Sequence, residues 1–264
     1  MSKDSSNVSV DITEKQKPRK GWVLALLALL ATVVLFYMAE IIGGLVVSLY
    51  PALRHWSNSQ ANSWLTNSIG AQFFYGLIAD GLIVAGVALM LRWFGWQWST
   101  IGLKTPKARH IIYGILAIVP YYAVYIVAVA ILSALIPSLN VNQTQEIGYN
   151  SVHSALPLIL AFISLVVVPP LAEEIVTRGF LYTGLRKWLP KIASALVVST
   201  VFGAAHLAEG GSVGPLWIGA IDTFILSLVL VFLREKTGNL WAGITLHALK
   251  NGVAFISLFI IAGR

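Results

Sequence analysis

Apolar positions along this chain run on without the alternation that marks a half-buried strand or the one-sided stripe that marks a surface helix. Uninterrupted apolar stretches cover about 22–48, 69–91, 110–136, 154–177, 192–209, 213–233 and 239–262. Each comes close to the roughly 20 residues needed to cross a hydrocarbon core of about 30 Å. Only helices and closed barrels satisfy every backbone polar group in lipid, and a run without period-two alternation is not a barrel strand. The pattern therefore predicts an all-α fold, a polytopic transmembrane helical bundle of about seven spans, within a range of six to eight.

Residues 1–20 break the pattern, being polar, rich in Ser, Lys and Asp, and without apolar periodicity. They are expected to form a disordered cytoplasmic tail ahead of one transmembrane domain over 21–264. A cleaved signal peptide is not expected. The apolar run after Lys20 exceeds the 7–15 residues of an h-region, and no small-residue cleavage site stands out before Glu40.

Composition agrees with the membrane reading: 57% of the 264 residues are hydrophobic and 11% charged, against about 25% charged in a soluble domain. The net charge of +7 is topological. Lys15, Lys17, Arg19 and Lys20 precede the first span; Lys104, Lys107 and Arg109 separate the second from the third; Arg186, Lys187 and Lys191 follow the fourth; Arg234 and Lys236 lie between the sixth and seventh. The other loops are nearly free of cations, with Arg54 alone in the first. The positive-inside rule then gives a cytoplasmic N-terminus and an outward C-terminus. Cations that flank spans instead of forming one patch give no support to a nucleic-acid partner, and membrane lipids are the expected surroundings. Trp93, Trp96 and Trp98 read as an aromatic belt at the interface. The chain has no cysteine, which rules out a thiol nucleophile, a disulfide framework and thiolate metal ligation. No internal repeat of the inverted-repeat transporter kind is visible.

Against this background a few polar residues inside apolar runs stand out, because ionisable groups in hydrocarbon are costly and mark functional centres. In the fourth span Pro169-Pro170 is expected to end one helical segment and open another, placing Glu173 and Glu174 in or just past its first turn. There the helix dipole contributes about 0.3–1 kcal/mol. Glu174 and Arg178 are four apart and share a face, while Glu173 points about a hundred degrees away and stays free to act. A salt-bridged helix end is the structural alternative for this string. In the fifth span Phe202 and His206 share a face, and a neutral imidazole is a competent base near neutral pH. In the seventh, His247 and Asn251 lie one turn apart, suited to holding a developing oxyanion or gripping a carbonyl. Rise per residue puts Glu173 about 20 Å in from Arg186, His206 about 22 Å from Lys191 and His247 about 13 Å from Lys236. The three are expected to meet in one cavity, in the cytoplasmic half or near the midplane.

Glu-Glu-x-x-x-Arg (Glu173, Glu174, Arg178), Phe-x-x-x-His (Phe202, His206) and His-x-x-x-Asn (His247, Asn251) on successive helices resemble the signature of the type II CAAX prenyl endopeptidases. The same signature marks the bacterial CPBP family of CAAX proteases and bacteriocin-processing enzymes, also called Abi. The matching core runs from about 154 to 255. The resemblance implies an intramembrane endopeptidase acting on a membrane-associated peptide or protein, with or without a lipid. In it Glu173 and His206 would activate water, His247 and Asn251 would stabilise the oxyanion, and Glu174 and Arg178 would orient the helix. Family members are often called metalloproteases, and Glu173, His206 and His247 form a feasible zinc set. The absence of His-Glu-x-x-His favours a metal-free mechanism without a cofactor.

Two other classes remain open at this point. A non-catalytic bacteriocin-immunity or scaffold protein shares the fold, since fold does not prove activity. A proton-coupled transporter would use Asp80, Asp222 and Lys250 as a relay. Structural pairing is the favoured reading for Lys250, with Asp222, Asp80 or Glu40 as partner. Glu209 reads as the outer end of the fifth span, and His55, His110 and His153 fall in loops or at span ends. The short chain without eukaryotic targeting motifs favours a bacterial plasma membrane and hence an unprenylated substrate. Oligomeric state leaves no signal in the sequence.

Overall fold

The computed structural model describes residues 20–143, 145 and 154–261; the expected tail, apart from Lys20, and His153 lie outside them. Among the described residues the chain is all-helical: α1 (Gly21–Leu53), α2 (Asn58–Asn67), α3 (Ile69–Phe94), α4 (Ala108–Leu135), α5 (Ala155–Leu185), α6 (Lys191–Ala205), α7 (Trp217–Thr237) and α8 (Trp241–Ile261). All but α2 belong to segments long and apolar enough to cross a membrane, which gives seven candidate spans. The extra helix α2 is polar and opens with a capping box, in which Ser57 Oγ accepts from Gln60 N–H (3.3 Å) while Gln60 Oε1 accepts from Ser57 N–H (3.0 Å). Outward-facing apolar side chains such as Leu45 (62% exposed) and Val119 (72%) form a surface that water would not tolerate and lipid does. This is an integral membrane protein.

Hydrogen bonds gather the basic segments at one end of the bundle. Leu240 N–H donates to Gly102 O (2.9 Å), Asn239 Nδ2 to Thr105 O (3.2 Å) and Trp241 Nε1 to Lys104 O (2.9 Å). Lys187 faces the Trp96 ring, and Gly21 at the start of α1 packs on the Lys187 carbonyl. The start of α1 and the α3–α4, α5–α6 and α7–α8 loops therefore share one end, as seven alternating spans require. Of the three belt tryptophans, Trp93 and Trp98 face outward, whereas Trp96 packs on Phe94 and Phe180.

At the centre is α5, whose Ala172, Ile175, Val176 and Phe180 pack against Ala28 and Ala39 of α1 and Ile83, Val87 and Leu91 of α3. Small residues set the crossings on its other side. A Cβ on Gly203 would lie 2.8 Å from Ala220 O, and one on Gly114 2.6 Å from Ala242 O, so α6 meets α7 and α4 meets α8 backbone to backbone.

The expectation that Pro169-Pro170 ends a helix is corrected. The chain stays helical from Ala155 to Leu185, because a π-helical turn at Ile163–Val167 precedes the prolines and another at Ile175–Leu181 follows the carboxylates. An α-helical segment does begin at Val168 with the prolines in its first turn. Its upstream neighbour is helical, so Glu173 and Glu174 stand mid-span and face no free helix N-terminus. The wider π turn accommodates rings and missing donors that a regular ladder could not.

Candidate active site

Glu174 and Arg178 form a fully buried ion pair, Nη1 to Oε1 2.8 Å, at the spacing read from the sequence. Arg178 Nη1 also donates to Thr177 Oγ1 (2.9 Å), and its guanidinium lies 4.1 Å from the centre of the Phe202 ring. The Thr177 hydroxyl in turn donates to the Glu173 carbonyl. Gly243 makes the room: a Cβ there would come within 2.7 Å of Glu174 Oε2.

His247 sits between the two carboxylates, with Nε2 3.6 Å from Glu173 Oε2 and Nδ1 3.5 Å from Glu174 Oε1. These distances are beyond a good hydrogen bond. Glu173 Oε2, Glu174 Oε2 and His247 Nδ1 are buried without a hydrogen-bond partner, while Glu174 Oε1 is held by Arg178. Buried polar atoms are almost always satisfied, so a cluster with unspent capacity is what a reaction site, or one that takes up water, requires.

His206 follows the last residue of α6. Its Nδ1 is 2.7 Å from Phe202 O; a carbonyl only accepts, so Nδ1 carries the proton and Nε2 keeps its lone pair. Nε2 faces Glu209 Oε1 at 3.7 Å. The residues from His206 to Val213 form a 3₁₀ helix, in which positions i and i+3 eclipse. Glu209 is therefore a wall residue of the site beside His206, as well as the end of the span read from the sequence. Phe202 joins the parts, with ring centroids 4.6 Å from His206 and 5.9 Å from His247.

Asn251 has a task that sequence spacing did not disclose. Its Nδ2 donates to Leu165 O (2.9 Å). Leu165 is four residues before Pro169, so its carbonyl is one that proline leaves without an intrahelical donor. Asn251 thus ties α8 to the irregular part of α5, with one amide N–H to spare.

Glu173, His206, His247 and Asn251 all line one cavity of about 630 Å³. It extends to Val141, Gln143 and Gln145 of the α4–α5 connection, at the end of the bundle opposite the basic loops. Gln143 fixes that connection to the start of α7, donating to Pro215 O (3.1 Å) and accepting from Ile218 N–H (3.2 Å). The same cavity is lined by Lys250 and Asp222, paired at 3.0 Å, with the Tyr121 hydroxyl on the other Asp222 oxygen. Of the three partners expected for Lys250, Asp222 is the one it has; Glu40 instead takes the Tyr75 hydroxyl. His110 is buried at the start of α4, where Nδ1 accepts from Lys107 N–H (3.2 Å), and His55 lies in the turn after α1.

The donors of the zinc set do not converge on one point. Among the described residues no three His, Asp or Glu side chains are grouped to hold an ion. The contacts run in pairs, His247 with Glu173 and His206 with Glu209, whereas a catalytic zinc takes three protein ligands.

Fold and site define a polytopic integral membrane protein with a cavity in its bundle lined by carboxylate, imidazole and amide side chains. Residues 155–253, under half of the chain, match the family described as type II CAAX prenyl endopeptidase Rce1-like, and this segment is similar to that family. A protein of Mycoplasma capricolum described as uncharacterized is 33% identical over 106 residues, covering 39% of this chain and 30% of its own length. The chain thus matches less than a third of that relative. No solved structure matches it.

Proposed function

We propose that this protein is an intramembrane endopeptidase of a bacterial plasma membrane, hydrolysing peptide bonds of an unprenylated, membrane-associated peptide or protein. The observation that carries the reading is convergence: residues from three separate spans, each with unspent or single-sided hydrogen bonding, line one cavity large enough for a peptide segment.

In this mechanism a water in the cavity gives a proton to Glu173, assisted by the His206 Nε2 lone pair, and the resulting hydroxide attacks the scissile carbonyl carbon. The carbonyl oxygen becomes an oxyanion, held by the spare Asn251 N–H and by the Nε2–H of a His247 imidazolium, whose Nδ1–H faces Glu174. The abstracted proton then passes to the leaving nitrogen as the C–N bond breaks, giving a carboxylic acid and an amine, and the acid's proton then moves to the amine to leave a carboxylate and an ammonium. Glu174 orients His247 from its Nδ1 side and is itself anchored by Arg178. Glu209 stands beside His206 Nε2 and lines the same cavity. The mechanism needs no metal. Asp222, Lys250 and Tyr121 form a closed set in the wall, which favours a structural task over a transport relay.

With the basic end in the cytoplasm, the cavity mouth at Gln143 and Gln145 faces outward. The chain has no native cysteine, so Gln145→Cys and Lys187→Cys report sidedness directly. An impermeant maleimide added to intact cells is expected to label the first and spare the second.

The test of activity is cleavage of a quenched peptide library by the purified protein in nanodiscs, comparing wild type with Glu173→Ala and His206→Ala, with and without a strong chelator. Cleavage by wild type alone, indifferent to chelator, is the expected result. Cleavage abolished by chelator overturns the metal-free step. An inert wild type leaves an immunity or scaffold role as the better account.

A further inference from the structure

At the opposite end of the molecule from the cavity mouth lies a second recess of about 230 Å³, between the ends of α5 and α7 and the loop joining α3 to α4. Arg186, Lys187, Arg234, Glu235 and the hydroxyl-bearing Thr100 and Thr183 line it. Three cations there face one carboxylate, and that carboxylate is already engaged. Glu235 accepts from the Tyr182 hydroxyl (2.8 Å) and pairs with Lys191 (3.3 Å) and Arg186 (3.8 Å). Among the described residues no carboxylate lies within ion-pair distance of Arg234 or Lys187.

Arg234 is the informative member. Its Nε is buried and has no hydrogen-bond partner among the described residues. Its guanidinium occupies the space a side chain on Gly102 would take, since a Cβ there would lie 2.3 Å from Cζ, and Gly102 has φ +87°. A glycine at that turn thus admits an arginine whose donors are left unspent, although an unmade buried hydrogen bond is costly. A forked guanidinium with a neighbouring ammonium and hydroxyls matches a tetrahedral anion with several acceptor oxygens.

The surroundings point to where that anion comes from. The recess sits at the ends of membrane-spanning helices, on the side where Trp93 and Trp98 face outward and Lys187 rests on Trp96. This is the level of phospholipid headgroups, and basic pockets between spans are suited to them. We propose that the recess binds a phosphate group, carried by the headgroup of an anionic phospholipid. It is separate from the proposed catalytic cavity and does not depend on the protein being a protease.

The test uses the full chain, delipidated in detergent, with dioctanoyl phosphatidylglycerol, dioctanoyl phosphatidylcholine or inorganic phosphate as probes, read by native mass spectrometry and thermal midpoint. Phosphatidylglycerol is expected to bind saturably and raise the midpoint, phosphatidylcholine to do neither. Arg234→Gln should weaken the lipid at least tenfold. Lys187→Gln, which leaves the Arg234 packing on Gly102 intact, should weaken it severalfold with the lipid-free midpoint unchanged. Competition by inorganic phosphate supports the shared chemistry. Binding of inorganic phosphate without the lipid overturns the lipid as occupant, and equal lipid binding by wild type and both variants overturns the site.

Discussion

The helices of residues 21–135 and those of 155–261 are drawn from the same apolar residue types, yet they keep their polar groups in opposite places. In the first set, the buried polar side chains are Thr32 and His110, Tyr121 is buried with its hydroxyl on Asp222, Asp80 is half-buried, and Glu40 lies exposed with a tyrosine hydroxyl on it. In the second, Glu174, Thr177, Arg178, Ser194, Ser199, Thr223, Ser227 and His247 are all buried. Lipid offers no hydrogen bonds, so a helix set that mainly walls the bundle keeps few polar groups inside, and one that keeps many must pair them or use them. The second set does both: Glu174–Arg178 and Asp222–Lys250 are paired, while Glu173 and the two histidines keep capacity unspent.

Breaking a closed pair should hurt stability most. Arg178→Ala leaves the buried Glu174 carboxylate without its cation and is expected to cost about 3–5 kcal/mol, read by denaturation in mixed micelles. A smaller effect is expected at the tie between α5 and α8. Asn251→Ala exposes the Leu165 carbonyl to lose its donor, about 1–3 kcal/mol. In a Pro169→Ala background, where the chain recovers its own donor, the same substitution should cost less, and a double-mutant cycle gives the difference. Equal costs in the two backgrounds would contradict the link between the proline and the asparagine. Smallest of all, Leu45→Ala on the lipid face of α1 should shift stability by no more than about 0.5 kcal/mol. A larger loss there would dissolve the contrast between wall and interior.

What the sequence discloses follows from what each feature depends on. Spans depend on local hydropathy, so all seven could be read in advance, with ends off by several residues where loops and irregular turns intervene. The Glu174–Arg178 pair depends on a four-residue helical spacing and could be read too. The continuity of α5 could not, because a π turn around two prolines is held by its neighbours and by Asn251 from another span. Glu209 was missed as a wall residue for a similar reason. Three residues after His206 it would point away on an α-helix by about 60°, and only the tighter 3₁₀ turn brings it into line. Asp222 was one of three carboxylates at comparable depth, and choosing it as the Lys250 partner needs the α7–α8 packing. The pairing of His247 with Glu173, and of His206 with Glu209, is likewise a tertiary fact.

The central claim is that Glu173 is spent on chemistry and not on holding the fold. The direct measurement is the cleavage rate of one identified peptide by wild type and Glu173→Gln in nanodiscs, with the thermal midpoint of each recorded alongside. The account predicts a rate lowered by about 10²–10⁴-fold with the midpoint unchanged or raised, because a neutral amide replaces a buried carboxylate whose Oε2 has no hydrogen-bond partner. An undiminished rate, or a lost rate that comes only with a collapsed midpoint, would contradict it.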